Sequence, residues 1–175
     1  MEFALQTSNP RLAPVSRQRY ADLAHAMQFI FPMATEDAIL SFHHVPIRLS
    51  YKYDLAVLID DLVPLLRSLL AEEAGSTVVK WASDTFRAHW GLGWSQDKLS
   101  IDAKWMRVSG GCEALLNQRG TLELPVASFI AEWRGVLWVI DDAVRRSAVA
   151  LDDESILKDL RRVATASDER GQLYG

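Results

Sequence analysis

The 175-residue chain has one cysteine, six prolines and nine glycines, and each scarcity removes a class of protein. A lone thiol, Cys112, cannot close an intramolecular disulfide, so a disulfide-stapled scaffold is excluded. Little proline and glycine, beside 49% hydrophobic and 24% charged residues, exclude a disordered or collagen-like chain. Long apolar runs are missing too. The most apolar stretch, 55–70, is interrupted by Asp60, Asp61, Pro64 and Arg67, whereas a membrane span needs about 20 mostly apolar residues. A cationic surplus is also lacking: 19 Lys+Arg against 23 Asp+Glu leave a net charge of −4. That argues against direct nucleic-acid binding and favours basic partners. Residues 1–10 carry neither the basic nor the apolar region of a secretory signal, which makes the cytoplasm the expected compartment. The length suits one domain over 1–175, able to bury about 70% of its surface.

Hydrophobic periodicity supplies the elements. Three- and four-residue spacing of Tyr20, Leu23, Ala24, Met27, Ile30 and Phe31 predicts a helix over 15–31, ended by Pro32. Ile47, Leu49, Tyr51 and Tyr53 alternate with polar residues and predict a strand over 47–53. Asp54 is placed to cap a second helix, in which Leu55, Leu58, Ile59, Leu62, Leu65, Leu66, Leu69 and Leu70 form one stripe opposite Asp60, Asp61, Pro64 and Arg67. Gly75-Ser76 reads as a break before a strand at 77–82. Alternation over 84–90 and 99–105 predicts an antiparallel hairpin closed by a loop at 91–98. A short helix at 112–118, a strand at 121–124, a helix over 126–147 and a last helix over 153–166 complete the pattern, and 167–175 reads as a disordered tail. The mixture predicts an α+β fold: a mainly antiparallel sheet of about four to six strands packed by amphipathic helices.

Chemistry-bearing motifs are sparse. Cys112 follows Gly110-Gly111 at the start of a short helix, where a thiolate is favoured, so a small enzyme using Cys112 or a histidine such as His44 or His89 is the alternative reading. The bland reading of a lone cysteine is a small apolar filler. His43-His44, adjacent on a strand, would point to opposite faces and could not share a metal. Gly91-Leu92-Gly93 lacks the third glycine of a nucleotide loop. The pairs Asp60-Asp61, Glu72-Glu73, Asp141-Asp142 and Asp152-Asp153 would diverge by about 100° on a helix and read as solvated faces, available collectively to a basic partner. No catalytic residue, metal or cofactor is assigned.

The six tryptophans carry more information. Trp81, Trp90, Trp105 and Trp133 fall on faces assigned to the core. Trp138 falls opposite Phe129 on the fourth predicted helix among charged residues, and Trp94 falls in the expected hairpin loop. An aromatic with a charged surround is the anatomy of an interface anchor; the competing reading is that the last helix covers Trp138. The expected partner-binding residues are therefore Trp138 with Asp141 and Asp142, then Trp94, then Asp60 and Asp61. Exposed tryptophans also leave a homodimer open.

Three phrases resemble small immunity proteins of bacterial polymorphic-toxin and contact-dependent growth inhibition systems. They are Leu49-Ser50-Tyr51-Lys52-Tyr53-Asp54 running into the 55–70 helix, Leu99-Ser100-Ile101-Asp102-Ala103-Lys104-Trp105, and Leu122-Glu123-Leu124-Pro125 entering a helix with Phe129, Glu132 and Trp133. The resemblance covers about residues 46–145. It implies a non-enzymatic role, binding and neutralising a cognate toxin domain, and brings no binding-site residues with it.

Overall fold

The computed structural model describes residues 2–14 and 18–166. The expected α+β architecture is what it contains, with the strands divided among three mostly antiparallel sheets. β1 (Phe3–Gln6), β3 (Ala38–Phe42) and β4 (Val45–Leu49) make a three-stranded antiparallel sheet in the order β1-β3-β4. His43 and His44 are the two turn residues of the β3–β4 hairpin, with φ of 47° and 65°. Positive φ at both positions matches the twist of the flanking strands, so the histidine pair belongs to a turn and not to the strand expected from alternation. β2 (Arg19–Tyr20) pairs in parallel with β9 (Ala150–Leu151). β5 (Ala74–Ala82), β6 (Arg87–Ser95), β7 (Lys98–Arg107) and β8 (Leu122–Pro125) form the largest sheet, antiparallel throughout in that order.

Five helices accompany them among the described residues: α1 (Leu23–Ile30), α2 (Ala56–Ala71), α3 (Glu113–Asn117), α4 (Val126–Ser147) and α5 (Ser155–Thr165). The expected helix over 15–31 is shorter than its pattern. Asp22 accepts a 2.7 Å bond from the His25 amide and starts α1 there, while Arg19 and Tyr20 extend to pair with β9; residues 15–17 lie outside the described residues. The strand expected over 47–53 ends at Leu49, and Tyr51–Leu55 is a π-helical turn. Here Asp54 does not cap α2. Its Oδ2 accepts from the Ser50 amide at 2.8 Å, the Tyr53 amide donates back to the Ser50 hydroxyl, and Oδ1 accepts from the hydroxyls of Ser83 and Thr85. Asp54 is 2% exposed, so these bonds make the polar group tolerable in the interior.

The α2 stripe is buried as expected, and Asp60, Asp61, Pro64 and Arg67 face solvent. β6 continues through the expected loop, leaving only Gln96 and Asp97 as its turn. The inner face of the large sheet then carries Trp81, Trp90 and Trp105, tilted and edge-on to one another at 5.1 and 5.7 Å, with α4 delivering Trp133 to within 6.1 Å of Trp81. Among the described residues the indole nitrogens of these four and of Trp94 have no hydrogen-bond partner. Burying about 200 Å² of ring contributes roughly 5 kcal/mol, against about 1–3 kcal/mol for an unmade bond, so the apolar gain wins at each.

Candidate protein-interaction site

α4 buries Phe129, Ile130, Trp133, Val136, Leu137, Ile140 and Val144 and turns Trp138 outward. Five tryptophans are buried, whereas Trp138 is 49% exposed. α5 packs against α2 and α4, burying Leu157, Leu160 and Val163, and leaves Trp138 half-exposed. Trp138 therefore forms a ridge between two clefts. One, of about 360 Å³, separates it from the extended segment 8–12 and is walled by Val139, Asp142 and Arg146. The other, of about 500 Å³, lies toward α5, between Arg145, Arg161, Arg162 and Thr165.

Asp141 is not available to a partner as expected. It is 7% exposed because α5 lies over it, and both carboxylate oxygens are occupied: Arg161 Nε donates to Oδ1 at 2.8 Å and Arg145 Nη2 lies 2.7 Å from Oδ2. Asp142 is exposed and paired loosely with Arg146 at 3.4 Å. Arg134 reaches past the end of α5 and donates to the carbonyls of Val163 and Ala166. The surround of Trp138 is thus arginine-rich, which reverses the acidic character expected of this helix. Arg161 and Arg162 were invisible as part of it, because their approach to α4 depends on the packing of α5.

Trp94 also departs from expectation. It is 6% exposed, on the inward-facing alternate positions of β6 that include Trp90 and Leu92. Its ring crosses to β5 and lies over Gly75, its register partner, where a Cβ would come within 2.4 Å of it. Gly75 is therefore a strand residue that makes room for an indole, not a break. Asp60 and Asp61 stand where expected, exposed on α2, and border a groove of about 320 Å³ between α2 and β5.

Cys112 precedes α3, half-buried, and burial with Glu113 alongside pushes its thiol above the ordinary range, opposite to what a nucleophile needs. Among the described residues no three His, Cys, Asp or Glu side chains are grouped to hold a metal ion, and no helix is long and apolar enough to cross a membrane. No family model matches the chain, and neither curated proteins nor solved structures show a match to it.

Proposed function

We propose that this chain is a cytoplasmic binding protein that neutralises a cognate toxin domain, with Trp138 as its anchor. The observation that carries the reading is Trp138 itself: a half-exposed indole between two clefts and ringed by arginines, in a molecule that buries its five other tryptophans. Tryptophan and arginine are the residues most enriched at the energetic centres of protein interfaces. The arginines can clamp carboxylates or carbonyls of the partner next to the anchor, while the net charge of −4 speeds encounter with a partner that is basic overall. The resemblance to immunity proteins supports the same role.

Co-expression with the product of the neighbouring gene, the expected toxin, tests this directly. A complex that survives purification and restores growth is expected; Trp138→Ala should raise the dissociation rate at a cost of about 2 kcal/mol, roughly thirtyfold. Absence of a complex or of rescue overturns the reading. Cys112→Ser should retain full neutralisation, since its thiol is held in the unreactive form; loss in a folded variant favours the small-enzyme alternative.

A further inference from the structure

β5 is the outermost strand of the four-stranded sheet, and among the described residues no backbone pairs with its free side. The phase of its hydrogen bonds follows from the bond that adjoins the open end of the β5–β6 pair. Gln96 donates its amide to the Glu73 carbonyl at 2.6 Å, and the register sets Gly75 opposite Trp94, Thr77 opposite Leu92 and Val79 opposite Trp90. In an antiparallel ladder alternate residues point both polar groups at one neighbour. Gly75, Thr77 and Val79 therefore bond to β6, and Ser76 and Val78 turn their amides and carbonyls outward. Proteins usually blunt such an edge by making it short, bulged, proline-bearing or charged, most often with lysine. β5 runs for nine residues in unbroken register without proline, its one charge, Lys80, stands near the strand's end, and Val78 is 58% exposed.

The groove between this edge and α2 is walled on the helix side by Asp60, Asp61, Pro64 and Ser68, and Trp94, whose buried indole nitrogen lacks a partner among the described residues, borders it after crossing Gly75. Among the described residues neither Asp60 nor Asp61 has an ion-pair partner, and no lysine or arginine lines the groove. Burial chiefly, and then the charges of Asp22, Asp61 and Asp153, push the Asp60 carboxyl upward, so the groove is short of positive charge.

We propose that the outer edge of β5 and its groove against α2 accept an extended, lysine- or arginine-bearing segment of a protein partner, which adds to the sheet as a further strand. Backbone bonds to Ser76 and Val78 supply the affinity, and Asp60 and Asp61 select basic side chains on the segment's groove-facing positions. Lys80, farther along the same edge, disfavours a basic residue there and so helps fix the register. The inference stands apart from the Trp138 face and does not require the partner to be a toxin.

The probe is a short synthetic peptide of alternating lysine and valine, with a glutamate–valine counterpart, titrated into the full chain at low salt. The lysine peptide should bind and slow amide exchange at Ser76 and Val78 by about tenfold or more, leaving Gly75 and Thr77 unchanged. Val78→Pro, which removes an outward amide and spares the ladder, should abolish binding. Asp60→Asn with Asp61→Asn should weaken it by about tenfold, and Trp138→Ala should leave it intact. If the proline variant fails to fold, amide exchange in the unaltered chain decides. The proposal is overturned if those two amides are not slowed, if Val78→Pro binds equally well, if the glutamate peptide binds as tightly, or if the free chain sediments as a dimer with these amides already protected.

Discussion

Asp60 and Asp61 on α2 and Asp141 on α4 are carboxylates carried by the two longest helices among the described residues, yet the molecule treats them differently. Asp141 lies beneath α5 with a guanidinium on each oxygen. Asp60 and Asp61 face a groove with no cation lining it, and burial first, then the neighbouring carboxylates, push the Asp60 carboxyl upward. The difference separates charge that joins two helices from charge left open to a visitor. It also explains why the arginines around Trp138 are not all equivalent: Arg145 and Arg161 are committed to Asp141, whereas Arg162 and Arg146 hold their aspartates only at 3.4 Å and can be redirected at little cost.

Substitutions can break this contrast, and α2 sets the upper end of the scale. Leu66, fully buried on its inner face, should lose about 2–5 kcal/mol as Leu66→Ala, since a cavity replaces the side chain. Asp61→Ala on the outer face of the same helix should stay within about 0.5 kcal/mol. Thermal melts that reverse this ranking would mean the helix presents its other face. Asp141→Ala comes next, at about 1–3 kcal/mol, because two guanidinium groups lose their common acceptor; both arginines remain half-exposed, which keeps the loss below that of a wholly buried pair. A double-mutant cycle with Arg161→Ala should return a coupling of the same sign. Zero coupling would make Asp141 as idle as Asp61 and dissolve the contrast.

How much of this was legible before folding depended on range. The α2 and α4 stripes could be read residue by residue because periodicity is local, and the outward placement of Trp138 followed from its phase relative to Phe129. The Trp94 error was also local: flanking Gly91 and Gly93 suggested a loop, although the alternation Trp90, Leu92, Trp94 continued unbroken and favoured a strand. Gly75 misled in the same way, its reason lying on the neighbouring strand. Asp54 and Asp141 were beyond reach. Each has one near partner, Ser50 for Asp54 and Arg145 for Asp141, but the partners that tie them to other elements, Ser83 and Thr85 for one and Arg161 for the other, are about 20 to 30 positions away in the chain, and no spacing rule links them. The free edge of β5 needed the strand order of the sheet.

Trp138→Ala sharpens the other side of the contrast. With half its surface already in water, the side chain should cost no more than about 1 kcal/mol of stability when removed, much less than its effect on a partner's residence time. A larger destabilisation would make Trp138 a structural prop for α5, and the proposed anchor would fall with it.

The smallest expected effect concerns Asp60, and its sign discriminates most finely. A carboxyl pushed upward in the folded state binds its proton more tightly there than in the unfolded chain. Its contribution is therefore most favourable at low pH and declines as pH rises from the ordinary carboxylate range through the raised value. Asp60→Asn removes that decline, so the variant should gain a few tenths of a kcal/mol at neutral pH, and the gain should disappear in acid. Chemical denaturation at several pH values measures it. Adding the lysine peptide should shrink the difference at neutral pH by stabilising the unaltered chain more than the variant, since a basic strand would attract the ionised Asp60 carboxylate that burial and its acidic neighbours disfavour in the free protein. If the variant is instead less stable at neutral pH, Asp60 already has a favourable partner in the folded chain, and the groove is not short of positive charge.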